Sequence, residues 1–249
     1  MNKAMMKDIF KANDIPQVTS IVFDTPLSLS PKHNVLADKA LEQLTFPLFV
    51  KPVSLGSSIG VSKVNNEEEL QQALEVAFHY DNAVICEEAV QNLVELNCSM
   101  MVHKGTIIHS FIEKIAPTSN FLSFEEKYLN QGGTMQGIEE KVQIPAKLSP
   151  HIEKQIYELC EKVVKVLHID GGAPRIDFLR DEKHDTLYVN EINTIPGSLQ
   201  VHLRDASGIN MTEFFTLLIE HAFWRRDQEK LKSIEFNSSI VDLTVNFKK

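Results

Sequence analysis

Between Pro174 and Gly197 the sequence PRIDFLRDEKHDTLYVNEINTIPG carries two acids, an amide and an arginine at spacings that let them meet. The run reads as two strands around the polar turn DEKHD, and strand side chains alternate faces. Arg175 and Asp177 then share one face of the first strand, and Glu191 and Asn193 one face of the second. A hairpin folded about His184 sets Asp177 opposite Glu191 and Arg175 opposite Asn193. Facing carboxylates repel unless a cation lies between them. Oxygens from Asp, Glu and Asn, with room for waters and phosphate oxygens, suit Mg2+. Most acidic strands simply present a solvated face. Here Leu179 and Val189 are expected beside the acids, which predicts partial cover, and covered unpaired carboxylates are costly. Metal binding is the favoured reading. Arg175, aimed at developing negative charge, would act as an electrostatic catalyst.

Upstream, FPLFVKP (46–52) is a continuous apolar run closed by proline, suited to a buried strand that delivers Lys51. It leads into SLGSSIG, where Gly56, Ser57, Ser58 and Gly60 make a small-residue loop. Glycines let backbone N–H groups turn inward as an anion cradle, and serine hydroxyls add donors. The loop is neither a Walker A motif nor a GxGxxG fingerprint. A plain hairpin turn reads the same, so its weight comes from Lys51 before it and the acidic hairpin after it. Glu87 and Glu88 close the strand-like run AVICEEAV (83–90), and Glu95 follows. An adenine docks on such a strand-to-loop backbone, with a nearby carboxylate on the ribose, although solvated loop acids are commoner. Residues 117–137 are polar and glycine-punctuated, a length usual in functional lids or linkers. Lys127 and Tyr128 lie inside this segment, where a lysine would reach a terminal phosphate on closure. The nine histidines show no HExxH or paired spacing, which argues against catalytic zinc.

The elements that must position these groups are legible in part. Lys3, Lys7 and Lys11 stack four apart on a short helix over 2–13. Asn66 caps a helix whose first turn holds Glu67, Glu68 and Glu69 and whose apolar face is Leu70, Ala73, Leu74, Ala77 and Phe78. VSKV, NCSMMV and TIIHSFI are strand-like. Ser149-Pro150 opens a helix with the stripe Ile152, Ile156, Leu159, Val163 and Leu167. A further helix covers 211–223, and the tail beyond is polar, then strand-like. Helices and strands mingle without strict alternation, so the fold class is α+β. Of the 249 residues, 43% are hydrophobic and 24% charged, ordinary for a soluble globular protein. The net charge of -9 argues against nucleic acid as the main partner. No apolar run approaches a membrane span, and Cys86, Cys98 and Cys160 read as buried thiols. The N-terminus has no signal-peptide core, so a cytoplasmic location is expected.

Taken in order, MNKAMMKDIFKAN, FPLFVKPVSLGSSIGVSKV, EEAV, FEEKYL, RIDF and NEINTIPGSL resemble the D-alanine-D-alanine ligase family of ATP-grasp enzymes, over residues 1 to about 223. The resemblance implies an ATP-grasp fold with two α+β subdomains sandwiching the nucleotide: 1–95, then 96–225, with 226–249 as a tail. It implies that ATP phosphorylates the carboxylate of one D-alanine and that the amine of a second attacks the acyl phosphate. Lys3 and Lys51 would contact phosphates beneath the 56–60 loop, Glu87, Ala89 and Val90 the adenine, Glu95 the ribose, and Lys127 the γ-phosphate. Asp177, Glu191 and Asn193 would hold two Mg2+ ions, with Mn2+ as a substitute. Arg175 and the Gly197 N–H would stabilise the tetrahedral intermediate. Ser57 and Tyr128 would orient substrate and lid, and Ser198 and Leu199 would touch the second amino acid. Family members begin with a further domain that binds the first D-alanine and supplies a catalytic glutamate. The resemblance starts after it, so a separate polypeptide supplying that domain, or a homodimer, is the expected partner. Arg204 stands where an apolar aromatic is common in the family, and the segment after Pro196-Gly197 is short.

Overall fold

The structure, a computed structural model, describes residues 2–24, 32–115 and 142–232. Two antiparallel sheets organise it. The first orders β1 (Ser20–Asp24), β2 (Leu48–Pro52), β3 (Ser62–Val64) and β4 (Ala83–Glu88) as β1-β4-β2-β3. The second orders β5 (Leu93–His103), β6 (Thr106–Ile115), β7 (Val142–Gln143), β8 (Arg175–Asp181) and β9 (Thr186–Asn193) as β7-β6-β5-β8-β9. The chain passes from one to the other between Glu88 and Leu93.

β2 is half-buried rather than enclosed on both faces: Leu48, Val50 and Pro52 are buried, while Phe49 and Lys51 point the other way. That alternation puts the lysine on the open side of its sheet. Leu48 and Val50 pack with Val84 and Cys86 of β4, with α2 (His33–Leu41), and with Leu70, Leu74 and Ala77 of α3 (Glu67–Tyr80). α3 starts on a reciprocal cap. Asn66 Oδ1 accepts from the Glu69 N–H at 2.9 Å, and the Glu69 carboxylate returns to the Asn65 N–H at 2.7 Å.

The second core joins Leu96, Cys98 and Met100 of β5 and Ile176 and Phe178 of β8 to Ile152, Ile156, Leu159 and Val163 of α4 (Pro150–Val166). Ser149 Oγ caps α4 ahead of Pro150, as its sequence predicts. Met6 and Phe10 of α1 (Lys3–Ala12) enter this second core too, although α1 precedes the first sheet in sequence. The other edge of α1 meets the first sheet, through the Lys3 N–H to Val53 O at 3.1 Å and Lys7 Nζ to Glu87 Oε1 at 2.8 Å. α1 therefore ties the two sheets together. The three cysteines are buried and free.

Elsewhere too the structure departs from or adds to the sequence reading. The helix begun at Met211 does not stop at 223 but runs as α6 (Met211–Lys230), because nothing in FWRRDQEK breaks it and Arg225 bonds Asp170 O at 3.2 Å. β1 and α2 occupy a stretch that its sequence left unassigned. Val189 turns away from the acids into the core. The lid at 117–137, with Lys127 and Tyr128, and the strand-like end of the tail lie outside the described residues. Among the described residues no helix is long and apolar enough to cross a membrane.

Candidate active site

β8 and β9 pair in the register expected of the hairpin: Asp177 faces Glu191 and Arg175 faces Asn193. A bulge makes this compatible with a turn at Glu182–Asp185. After Asp177↔Glu191 the next pair is Phe178↔Val189, so Asn190 is an extra residue on β9. The bulge reverses alternation: Val189 is buried with Phe178 in the core, whereas Glu191 stays on the open face with Asp177. The expectation that Val189 flanks the acids is thus overturned; Leu179 and Tyr188 pair nearer the turn.

The same register continues across the sheet. Glu113 of β6 faces Asn97 of β5, Asn97 faces Asp177, and Asp177 faces Glu191. One residue row further, Ser99, Arg175 and Asn193 are aligned. Sequence reading missed Asn97 and Glu113, since no motif marks them; only the pairing of β5 with both β6 and β8 brings them in.

The first cation between the facing acids is Arg175. Its guanidinium grips Asp177 with Nη2 on Oδ2 at 2.7 Å and Nε on Oδ1. Asn193 Nδ2 donates to Asp177 Oδ2 at 2.9 Å and reaches Glu191 Oε1 at 3.5 Å. Burial, opposed by Arg175 and reinforced by Glu191 and Glu95, pushes the Asp177 carboxyl up to about 6. Even with the guanidinium in place, burial keeps the Asp177 carboxyl above its ordinary value. Two carboxylates and an amide oxygen, reached by a half-turn of the Asn193 amide, are hard donors that fit Mg2+. Among the described residues no three His, Cys, Asp or Glu side chains converge; beside the two acids the residue that contacts both is Asn193.

A second charged group sits at the junction of α1 and the first sheet. Glu87 is buried between Lys51 and Lys7 and ion-paired to both. Burial alone would raise its carboxyl; Lys51 and then Lys7 overcome that and hold it at about 2. Lys51 Nζ also lies 5.6 Å from the Phe49 ring centroid. Lys3 Nζ donates to Leu55 O at the start of the small-residue loop and, at 3.5 Å, to Pro52 O. Burial lowers the Lys3 ammonium, Glu191 opposes, and Lys51 adds to the lowering. Lys3 thus stands electrically between the lysine of the first sheet and the acids of the second. In the loop, Ser57, Ser58 and Gly60 are all left-handed. Only glycine fits the last: a Cβ on Gly60, at φ +68, would meet Pro52 Cγ at 2.8 Å and Tyr80 Cδ2 at 2.9 Å. Glu88 accepts from Thr45, the Ala89 N–H is bonded to Pro47 O at 2.9 Å, and Glu95 projects outward from β5.

Beyond the hairpin, Gly197–Gln200 forms a single turn in which Ser198, Leu199 and Gln200 are all left-handed, at φ 50, 48 and 54. Each such non-glycine residue costs about 1–2 kcal/mol. Strain of this size persists only where neighbours impose it. A cavity of about 480 Å³ between α2 and α3, lined by His33, Glu75, Phe78 and Tyr80 among others, contains none of these groups.

The chain matches, over residues 9–220, a family described as D-ala D-ala ligase C-terminus. It is 34% identical over 245 residues to a D-alanine--D-alanine ligase of Thermosipho africanus, covering 98% of this chain and 64% of that protein. A D-alanine--D-alanine ligase of Oceanobacillus iheyensis is 36% identical over 209 residues, 81% of this chain and 54% of the relative. Among solved structures, the D-alanine-D-alanine ligase from Coxiella burnetii superposes with a TM-score of 0.72 at 27% identity, over 93% of this chain and 59% of that one. The VanG D-Ala:D-Ser ligase from Enterococcus faecalis gives 0.72 at 28% identity, over 89% and 61%. The chain therefore spans less than two thirds of the length of these relatives.

Proposed function

This chain belongs to the D-ala D-ala ligase C-terminus family and has the ATP-grasp fold of its structural neighbours, and from that premise we propose that it is the nucleotide- and metal-binding body of an ATP-dependent carboxylate–amine ligase joining two D-alanines. The observation that carries the reading is the open face of the second sheet, where Asp177, Glu191, Arg175 and Asn193 meet in register. The α1 and β2 lysines supply the opposite charge for a polyphosphate.

In this reading Lys3 and Lys51 bind phosphate oxygens beneath the Gly56, Ser57, Ser58 and Gly60 loop, joined by Lys127 from the lid. The adenine lies along Glu87, Ala89 and Val90, and Glu95 takes the ribose. The γ-phosphoryl passes to the first D-alanine's carboxylate and ADP departs. The second amine then attacks the acyl phosphate, and phosphate leaves as the peptide bond forms. Arg175 would leave Asp177 to reach the negative charge that builds on the carbonyl oxygen of the tetrahedral intermediate, and the Gly197 N–H completes that oxyanion site. Ser57 and Tyr128 orient substrate and lid, and Ser198 and Leu199 meet the acceptor. Asp177, Glu191 and Asn193 would hold Mg2+, two ions or Mn2+ in their place, which when bound neutralises phosphate charge and aligns the reactants. The product is a peptidoglycan precursor, and the cytoplasm is the compartment that fits.

The test is ADP release with and without D-alanine, in the chain alone and with an added amino-terminal domain. Absence of amino-acid-stimulated turnover in every combination would refute the ligase. A second reading is a Mg-ATP-binding module inactive by itself. Tight nucleotide binding without turnover supports that one, and dipeptide synthesis by the isolated chain eliminates it. The D-Ala:D-Ser neighbour makes the acceptor a separate question, settled by a panel of D-amino acids.

A further inference from the structure

The left-handed turn at Ser198–Gln200 carries the residues assigned to the acceptor, and its conformation has to be imposed from outside. Within it, one side-chain bond is described: Gln200 Nε2 donates to Gly197 O at 3.2 Å. The helix that follows, α5 (Val201–Ala206), is too short to hold a loop by itself. It is fastened to the second sheet at three places. His202 Nε2 lies 3.0 Å from Glu113 Oε1. Arg204 donates to Ile108 O at 3.0 Å and to Ser99 Oγ at 3.1 Å. Ser207 Oγ accepts from the Phe111 N–H at 2.7 Å.

The first of these fastenings is two residues from the turn and ends on the row that holds the acids. Glu113 is buried, with a side chain 5% exposed, and its other oxygen accepts from Asn97 Nδ2 at 3.1 Å. Asn97 in turn faces Asp177. His202 is half-exposed and comes from 89 residues away in sequence. A buried carboxylate needs charged or polar partners, and His202 and Asn97 are the ones described. Burial raises the Glu113 carboxyl, and the hydrogen bonds from His202 and Asn97 outweigh it, so the group stays ionised as an acceptor. Nothing in either motif of the hairpin requires this acid. Its geometry makes it the link between the metal-side row and the acceptor turn.

We propose that Glu113 and His202 are positioning residues, a latch across the second sheet that holds the 197–200 turn in its left-handed form and so sets affinity for the acceptor amino acid. The acceptor part rests on the reading that Ser198 and Leu199 meet the second amino acid. The holding part rests on the structure alone.

The test uses the full chain and two readouts. Hydrogen exchange of the 197–207 segment, without substrates, is compared in wild type, Glu113→Gln and His202→Gln. His202 is half-exposed, so its variant folds even if the buried one fails. Both variants should exchange about fivefold faster there, the weight of one net hydrogen bond, with β2 and β4 unchanged. His202→Lys, which keeps a cation in reach of Glu113, should restore slow exchange. Unchanged exchange in His202→Gln overturns the latch. The second readout is steady-state ADP release: KM for D-alanine as acceptor should rise about fivefold while KM for ATP stays within about twofold. An equal rise in both, or none, overturns the acceptor role. If the wild type never releases ADP in response to an amino acid yet the variants exchange faster, the ligase reading fails and the latch stands.

Discussion

Replacing Asp177 by Asn probes the charge balance of the site without nucleotide. The carboxyl ordinarily titrates at 3.8 and is pushed up to about 6 here, and its side chain is 17% exposed. A folded-state value above the unfolded one means that the native chain binds more protons between those two pH values. Stability then falls as pH rises through that window. About two pH units correspond to roughly 3 kcal/mol in full. Between pH 4 and pH 7, partial titration at both ends leaves a loss of roughly 2 kcal/mol. Urea unfolding in chelator should therefore show wild type losing roughly 2 kcal/mol more stability than Asp177→Asn over that range. The variant also leaves Arg175 without its carboxylate, which displaces its whole curve but not the slope contributed by residue 177. Mg2+ with ADP should recover the loss at pH 7 in wild type and not in the variant. Parallel pH profiles of the two proteins in chelator would refute the claim that burial keeps the Asp177 carboxyl above its ordinary value beside Arg175.

Asp177→Ala and Glu191→Ala should each abolish metal-dependent nucleotide hydrolysis while circular dichroism stays native, and near-normal turnover in either removes it from the metal site. Glu87→Ala should cost about 3–5 kcal/mol in urea unfolding, because it strands two buried ammonium groups. The Glu87 contribution is present above its unfolded pKa near 4.5 and is lost as pH falls from there toward 2; acid unfolding of wild type and variant should converge in that range. Lys51→Ala should weaken ATP binding by calorimetry, and unchanged affinity would exclude Lys51 from the site. Gly60→Ala should destabilise by about 1–3 kcal/mol, through a left-handed φ and the contacts with Pro52 and Tyr80; an unaffected melting temperature would mean that the loop has another conformation.

Local rules were enough for much of this protein. The Asn66 and Ser149 caps, the apolar stripes of α3 and α4, and the strand character of 83–88 and 175–193 follow from propensity and periodicity. The facing of Asp177 with Glu191 is expected from the hairpin pattern, but the structure reaches it through the bulge, since the pairs nearer the turn lie one residue out of that register. Tertiary structure alone decided the rest. The bulge at Asn190 sent Val189 inward, a choice made by the core under β8 and β9 and invisible in an alternating pattern. The burial of Glu87 between lysines from α1 and β2, and the row Glu113–Asn97–Asp177–Glu191, join residues far apart in the chain. Residue spacing sets which side chains share a face; only the packing of one element on another sets which charges are buried together, because desolvation depends on what covers a group, not on its neighbours in sequence.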